Sequence, residues 1–274
     1  MEHFIKYSML ISVYVKEKPQ YLDECLKSVF SQTYPADEVI LVCDGKLTKE
    51  LYSVVEKYQE EYPEVFKPIF LDKNVGTGRA GNIGINACKN ELIIKTDSDD
   101  ISRPYRCDIQ VSMFEKDSSL TMSGGYIQEF LSETGEPITI KKVPLNHDDI
   151  LKYAKRRNPI NNPTIAIKKS FAQSVGGLKE NARCEDYDFV CRMLMAGAKA
   201  SNTSEVLLDY RVTQDNYKRR KNWRNTKSFI QVRWSNFKSG FCSLLDFLIP
   251  CAMQLIMFIL PDSLTGFIYK KFLR

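Results

Sequence analysis

Histidine is scarce in this sequence, with only His3 and His147 among 274 residues. So few imidazoles argue against a His-containing catalytic triad and against a His-rich metal site. Cysteine is present but scattered, and no Cys-x-x-Cys pair occurs among positions 25, 43, 88, 107, 184, 191, 242 and 251. This spacing predicts no zinc site and is typical of reduced thiols in the cytosol. Residues 1–6 are polar, so we also expect no secretory signal.

A long uninterrupted apolar run is absent too. The most apolar stretch, residues 241–260, contains Asp246 and is divided by Pro250 into pieces of nine and ten residues. A helix that crosses a bilayer needs about 20 apolar residues. We therefore predict two helical segments that lie in or dip into a membrane face. Two alternatives stay open: packing of this region on the protein's own core, and a true transmembrane span.

Basic charge is concentrated in one segment. Residues 215–233 hold seven Lys or Arg and one Asp, a local charge of +6. The whole chain carries +5, so the other 255 residues sum to −1. Such a patch indicates a polyanionic partner, for example phosphate, nucleic acid or an anionic membrane. We place a domain boundary here, between residues 1–214 and a basic and apolar helical region, 215–274, that we predict to associate with membrane.

The first hundred residues alternate between strand and helix patterns. Strands are predicted at 7–15, 38–45, 65–71 and 91–96, and helices at 21–32, 51–62 and after the Gly-rich turn within 76–90. Pro68 indicates that the third strand lies at an edge. Alternation with short connections indicates βαβ units, and therefore an α/β fold with a mostly parallel sheet flanked by helices. After residue 102 the patterns are mixed, with strands predicted at 120–131, 135–143, 162–169 and 206–213 and helices at 103–117, 147–156 and 185–197.

Three carboxylates follow the fourth strand directly, in Asp97-Ser98-Asp99-Asp100. Like charges this close repel by roughly 1 kcal/mol per pair even in water, so a positive group is expected among them. Asp44 also ends a strand, and ligands of open α/β sheets bind beyond the carboxyl ends of the strands. Two carboxylates on a turn can hold a divalent cation that also binds a diphosphate. The alternative is a solvated acidic turn that caps the helix near Pro104.

Three stretches occur in a fixed order: "SVYVKEKPQYLDECLKSVFSQTYPADEVILVCDG", "NVGTGRAGNIGI" and "KTDSDD". This set resembles the family 2 glycosyltransferases, which have the GT-A nucleotide-diphosphosugar transferase fold, and the resemblance covers about residues 7–215. More narrowly, "SVYVKEKP" and "NPINNPTIAIKKS" are similar to bacterial enzymes that extend O-antigen or capsule repeat units on a polyprenyl-diphosphate lipid. Some of those enzymes are β-1,3-galactosyltransferases.

The resemblance implies a donor site. The nucleotide of a UDP-sugar would be contacted by Val13, Tyr14, Glu17, Asp44, Arg79, Asp97 and Ser98. Asp44 would contact the base, and Asp97 with Asp99 would bind the divalent metal, Mn²⁺ or Mg²⁺. The chain matches the Asn-x-Gly of the Gly-rich helix at Asn82. It has Gly81 where family members often have arginine, which leaves the role of Arg79 open.

The resemblance also implies an acceptor side. The second acid of a Glu-Asp pair at a helix start is the family's general base, which assigns Asp186 within "CEDYDF". An inverting transfer needs one such base, because the acceptor hydroxyl loses its proton while it attacks the anomeric carbon. The alternative is that these acids only stabilise a helix N-terminus. Acceptor contacts are expected from Asn158, Asn161, Asn162 and Glu185, and diphosphate contacts from Arg219 and Arg220.

These features predict a metal-dependent inverting glycosyltransferase, peripheral or monotopic at the cytoplasmic membrane face. It would move a hexose, galactose by resemblance, from a UDP-sugar to a polyprenyl-diphosphate-linked sugar, without a nucleic-acid partner. A nucleotidyltransferase is a second hypothesis, but it should have a Gly-rich loop directly after the first strand, where this chain has "YVKEKPQ". A third, a non-enzymatic module that binds polyanions at a membrane surface, leaves "DSDD" and "EDYD" unexplained. The oligomeric state is not encoded in these motifs.

Overall fold

The computed structural model describes residues 4–180, 184–213 and 222–260. The strands in these ranges are β1 (Tyr7–Val13), β2 (Glu38–Cys43), β3 (Phe66–Phe70), β4 (Leu92–Lys95), β5 (Ile101–Ser102), β6 (Leu120–Leu131), β7 (Pro137–Lys141), β8 (Ala166–Lys168) and β9 (Lys199–Val212). The helices are α1 (Pro19–Phe30), α2 (Lys49–Glu61), α3 (Thr77–Ala87), α4 (Arg106–Lys116), α5 (His147–Ala154), α6 (Lys169–Ser174), α7 (Glu185–Met195), α8 (Trp223–Lys238) and α9 (Leu244–Ile259). All nine described strands join one sheet, in the order β3-β2-β1-β4-β8-β6-β9-β5, with β7 paired to β6.

The first half of the sheet confirms the predicted βαβ alternation. β3, β2, β1 and β4 lie side by side and are parallel throughout. β3, which contains Pro68, lies at the edge as expected. In the register of the central strand, Val13 pairs with Cys43 of β2, and Leu10 pairs with Lys95 of β4. The carboxyl ends of three neighbouring strands therefore meet at one edge of the sheet.

The second half of the sheet is mixed: β5, β7 and β8 run against the common direction of the other six described strands, an addition to the mostly parallel sheet that was predicted. β8 runs antiparallel to both β4 and β6, and β5 runs antiparallel to β9. β7 returns along β6 through a short turn that contains Gly135 at a φ of +74°, and such a turn joins only antiparallel strands. β9 pairs parallel to β6 over its whole length. Residue patterns predicted β6, β7, β8 and β9 but missed the two-residue β5, and they do not encode the direction of a strand.

Helices cover both faces of the sheet, and an apolar core lies between the sheet and the helices on each face. Met9 and Ile11 of β1 point to the face covered by α1, α2 and α4, where they join Leu22 and Val111. Leu10, between them in sequence, points to the face covered by α3, α5 and α7. This alternation is the period-2 geometry of a strand buried on both sides.

Both C-terminal helices contact the α/β fold at Arg156, α8 through Arg233 and α9 through Asp246. Arg233 of α8 is 5% exposed and donates to the main-chain oxygen of Arg156 at 2.7 Å. α9 packs in turn on α8, with Phe247 stacked on Phe237 at 5.8 Å between ring centroids. Among the described residues, no helix combines the length and the apolar character needed to cross a bilayer.

The two helical segments predicted around Pro250 are one helix in the structure. Asp246 does not interrupt it, because Asp246 forms a capping box with Ser243 at the helix start. Pro250 lies inside α9, where it removes one main-chain N–H donor. Beyond the proline, α9 still contacts α8: Gln254 Nε2 donates to Thr226 Oγ1 at 3.2 Å.

Candidate active site

The carboxyl ends of β1, β2 and β4 carry most of the predicted donor residues. Val13 is buried as the last residue of β1, while Tyr14, which follows it, is 36% exposed. Asp44 follows β2 directly, and its amide donates to the Val13 oxygen at 2.8 Å. The residues after β4 reach the same edge because β1 pairs with both strands.

Asp44 holds the loop that leads into α3. Its carboxylate is 5% exposed and accepts hydrogen bonds from Asn74 Nδ2 at 2.9 Å, Val75 N at 2.6 Å and Gly76 N at 3.0 Å. These bonds hold the loop against the carboxyl end of β2. A contact between Asp44 and the base of a nucleotide stays a prediction.

A cation lies against the acidic turn after β4, as the repulsion between its carboxylates predicts. Lys95 is the last residue of β4, and its Nζ lies 2.5 Å from Asp97 Oδ1. Ser98 Oγ donates to Glu17 Oε2 at 2.7 Å, so the structure brings together two residues that were predicted separately. Lys95 was missed in the sequence because a lysine that ends an apolar strand looks like an ordinary surface residue.

Arg211 of β9 is a second cation against the acidic turn. Its main-chain N–H donates to Asp100 Oδ1 at 2.9 Å, and its Nε donates to the main-chain oxygen of Asp99 at 2.8 Å. The same guanidinium pairs with Glu24 of α1 and lies 4.0 Å from the ring centroid of Tyr21. No sequence pattern indicates this contact, because the acidic turn and Arg211 lie more than a hundred residues apart.

The turn still carries uncompensated negative charge. Burial, together with the nearby carboxylates of Asp97 and Glu17, raises the pKa of Asp99 to about 7. Burial, together with the nearby carboxylates of Asp99 and Asp97, raises the pKa of Asp100, which is 1% exposed. Asp100 Oδ2 is buried and has no hydrogen-bond partner in the described part of the chain. An added cation would relieve each of these costs.

A divalent metal fits this turn only if the protein supplies part of its coordination and a bound substrate supplies the rest. No group of three or more His, Cys, Asp or Glu side chains is placed to hold a metal within residues 4–180, 184–213 and 222–260. Asp97 and Asp99 would therefore supply two carboxylates, and the remaining oxygen ligands would have to come from a bound diphosphate and water. Such mixed coordination is typical of Mg²⁺ and Mn²⁺ at phosphate sites.

A fully buried arginine supports the turn from behind. Arg106 of α4 is 0% exposed. It donates to the main-chain oxygen of Lys95 at 2.6 Å and to that of Pro163 at 2.9 Å. It thereby joins the end of β4 to the amide-rich loop at 158–164. The predicted helix at this position was correct, but the pattern did not identify Arg106 as a core residue.

The glycines of α3 serve close packing. A Cβ at Gly78 would lie 2.7 Å from the Lys179 oxygen, and a Cβ at Gly81 would lie 2.7 Å from Leu178 Cδ1. Asn82 exchanges two hydrogen bonds with the Leu178 main chain, both at 2.8 Å. A side chain at position 81 would therefore have to displace the tip of Leu178.

Arg79 pairs with Glu180, and both side chains are exposed. Glu180 shortly precedes the Glu185-Asp186 pair in the sequence. A contact between Arg79 and a nucleotide stays a prediction.

Asp186 lies in the first turn of α7, on a different element from the acidic turn, as predicted. Its Oδ2 accepts a hydrogen bond from Asn158 Nδ2 at 3.0 Å. Glu185 begins the helix, and Cys184 before it has a left-handed φ of 65°. The structure thus joins Asp186 to one of the residues that the sequence assigned to acceptor binding.

The other predicted acceptor and diphosphate residues differ in their surroundings. Asn161 is 2% exposed and donates to the main-chain oxygen of Gly125 at 2.9 Å, so a contact with an acceptor would require its uncovering. Asn162 is half-buried at the start of a 3-10 turn. Arg219 and Arg220 lie outside the described residues.

Solved structures establish the class of fold. The mannosyltransferase PcManGT from Pyrobaculum calidifontis, in complex with GDP-Man and Mn²⁺, aligns with a TM-score of 0.66 and 15% identity over 95% of this chain and 71% of that chain. TarS 1–349 from S. aureus, in complex with UDP-GlcNAc, aligns with a TM-score of 0.66 and 16% identity over 98% and 72%. The sheet, its flanking helices and the acidic edge define a GT-A-like α/β fold.

Sequence comparison gives the family. The profile described as "Glycosyl transferase family 2" matches residues 8–174. The UDP-Gal:alpha-D-GlcNAc-diphosphoundecaprenol beta-1,3-galactosyltransferase of Escherichia coli is 36% identical over 98% of this chain and 97% of its own length. The amylovoran biosynthesis glycosyltransferase AmsE of Erwinia amylovora is 33% identical over 97% and 98%. The chain belongs to glycosyltransferase family 2, which confirms the resemblance seen in the sequence.

Proposed function

We propose that this chain is a metal-dependent inverting glycosyltransferase of surface-polysaccharide (O-antigen or capsule) synthesis. It transfers a hexose, which we propose to be galactose, from a UDP-sugar to a sugar linked to polyprenyl diphosphate. The observation that carries the proposal is the acidic turn at the end of β4, where burial and two neighbouring acids raise the pKa of Asp99. The donor and acceptor classes come from the name of the Escherichia coli relative.

The donor side is built from the edge of β1, β2 and β4. Tyr14 is exposed there beside buried Val13, where a base and ribose can lie against the strand end. Asp97 and Asp99 would hold the metal, which, when bound, offsets the charge that develops on the leaving diphosphate. Lys95 and Arg211 hold the acidic turn in place when no metal is bound.

The acceptor side is built from α7 and the amide-rich loop. The acceptor hydroxyl oxygen attacks the anomeric carbon, the bond from that carbon to the diphosphate oxygen breaks, and UDP leaves. The hydroxyl proton passes to the carboxylate of Asp186. Because attack and departure occur on opposite faces of the sugar, the configuration at the anomeric carbon inverts. The separation of Asp186 from the acidic turn, on another element, supports this division of roles.

The C-terminal helices suit a membrane surface. The apolar face of α9 consists of residues that are 37–78% exposed: Leu244, Leu245, Leu248, Ile249, Met253, Leu255, Ile256 and Ile259. Trp223, 58% exposed, lies beside Phe258 of α9, and Arg224 and Lys227 follow on the same basic segment. Apolar and basic groups side by side favour an anionic lipid surface. We propose peripheral or monotopic binding at the cytoplasmic face, through residues 215–274.

Transfer from UDP-[¹⁴C]galactose to a synthetic lipid-diphosphate-GlcNAc acceptor, with Mn²⁺, tests the proposal. We expect a lipid-linked disaccharide with the wild type and a loss of at least about 100-fold with Asp186→Asn, because a positioned base contributes this much or more. UDP-glucose and UDP-GlcNAc in place of UDP-galactose test the choice of sugar. Equal transfer by the wild type and Asp186→Asn would reject Asp186 as the base.

A further inference from the structure

The loop that follows α5 holds one amide side chain against Asp186. Asn158 Nδ2 donates to Asp186 Oδ2 at 3.0 Å. The main-chain N–H of Ile160 donates to Asn158 Oδ1 at 3.2 Å. This second bond fixes the orientation of the amide, because the oxygen must face Ile160 and the NH₂ group must therefore face the carboxylate.

The same loop is fixed to α7 on the side of Asp186. Tyr187, the next residue in α7, donates from its hydroxyl to the main-chain oxygen of Ala154 at 2.7 Å. Arg233 lies over the Tyr187 ring at 4.8 Å and donates to the Arg156 oxygen at 2.7 Å. The segment before Asn158 and the residue after Asp186 are thus held by the same contacts.

The far side of the loop is anchored as well. Asn202 of β9 is 5% exposed and donates from Nδ2 to the Pro159 oxygen at 3.0 Å and to the Pro144 oxygen at 2.6 Å. Ile160 is 2% exposed in the core. Main-chain anchors on both sides of Asn158 leave its amide little freedom to turn toward another partner.

We propose that Asn158 is a positioning residue for Asp186 and does not itself bind the acceptor. It holds Oδ2 of the carboxylate, so that Oδ1 is the oxygen that takes the proton of the acceptor hydroxyl. This inference rests on the proposed role of Asp186 as the base. It replaces the acceptor contact that the sequence suggested for Asn158.

The consequence is confined to the chemical step. A carboxylate that loses its charge-assisted hydrogen bond turns about its Cβ–Cγ bond and is less often aligned with the hydroxyl. Hydrogen bonds to charged groups are worth enough to give a fall of about 10- to 100-fold in kcat. The acceptor makes no contact with Asn158, so its KM should stay within about twofold.

Asn158→Ala and Asn158→Asp separate positioning from binding. Asn158→Asp keeps the volume but places an acceptor-only carboxylate against Asp186, so we expect it to lower kcat at least as much as Asn158→Ala does. A side chain that bound the acceptor hydroxyl would give the opposite order, because aspartate can still accept that hydrogen bond. Asn146→Ala, at the exposed N-cap of α5, is the matched control and should leave kcat unchanged.

A double-mutant cycle gives the sharpest readout. In an Asp186→Glu background the carboxylate lies one methylene away from its original place, and Asn158→Ala should then cost less than about twofold in kcat. A full 10-fold or greater loss in that background, or a raised acceptor KM with unchanged kcat in the wild-type background, would overturn the proposal. Activity that survives Asp186→Asn would instead reject the base itself. Thermal melts of each variant confirm that the losses are not losses of fold.

Discussion

Replacement of Arg106 by methionine tests the support behind the acidic turn. Its guanidinium is fully buried and donates to four neutral oxygens: Ser102 Oγ at 3.0 Å, Gln110 Oε1 at 3.1 Å, Lys95 O at 2.6 Å and Pro163 O at 2.9 Å. Methionine fills much of the same volume but donates to none of them. The two main-chain oxygens cannot move away, because they belong to the end of β4 and to the loop against it.

The size of the effect follows from those two oxygens. A buried acceptor left without its donor costs about 1–3 kcal/mol, so the pair costs about 2–6 kcal/mol. Removal of a desolvated cation offsets part of this loss. We expect Arg106→Met to lower the free energy of unfolding by about 2–4 kcal/mol, which corresponds to roughly 5–15 °C in Tm for a chain of this size.

Denaturant titration followed by circular dichroism measures the effect. The matched control is Lys57→Met, which removes a cation from an exposed pair with Asp23 at 2.7 Å. Exposed pairs contribute less than about 1 kcal/mol, so the control should stay near the wild type. A loss below about 1 kcal/mol for Arg106→Met, or an equal loss in the control, would refute the structural role given to Arg106.

Three further predictions follow from other parts of the molecule. The pKa of Asp99 is raised from 3.8 to about 7, so its contribution to stability is present below about pH 4 and is lost as the pH rises through 7. The Tm of the metal-free wild type should therefore fall over that range relative to Asp99→Asn, and parallel Tm–pH curves would contradict this. Gly84→Ala adds a Cβ that overlaps Leu10 Cδ1 and lies 3.1 Å from Val42 Cγ2. The free energy of unfolding should therefore fall by about 1–3 kcal/mol in denaturant titrations. An unchanged midpoint would show that α3 and β1 can adjust to make room for the methyl group. Leu245 and Ile256 are 63% and 56% exposed on α9, and changing both to Glu should weaken co-sedimentation with phosphatidylglycerol vesicles by at least about 10-fold. Undiminished binding by that variant would exclude the apolar face of α9 as the contact, and vesicles of phosphatidylcholine serve as the low-charge control.

The sequence was sufficient for the parts of the fold that repeat locally. Period-2 and helical patterns predicted the parallel strands before residue 96, and Pro68 marked the edge strand correctly. The strand at 120–131 was also predicted with the bounds that the structure gives to β6. Its partners were not, because pairing with β9, some eighty residues later, depends on long-range register that a local pattern does not carry.

The candidate site shows the same division. Asp97, just after a strand, and Asp186, at a helix start, could be predicted as site residues because they lie in motifs that the chain shares with the family. Lys95, Arg106 and Arg211 could not, since nothing in the sequence shows which oxygen atoms a lysine or arginine of a strand or helix will contact in the fold. Their roles are visible only from the carbonyl and carboxylate oxygens that the fold brings to them.

Binding of UDP, followed by calorimetry with and without Mn²⁺, tests the donor site most directly. The wild type and an Asp23→Asn control should bind UDP in a Mn²⁺-dependent manner, and Asp99→Asn should lose that dependence because the metal loses a carboxylate ligand. Folded wild-type protein that binds no UDP under either condition would contradict the account. UDP binding that is equally Mn²⁺-dependent in Asp99→Asn would contradict the assignment of the acidic turn as the metal and diphosphate site.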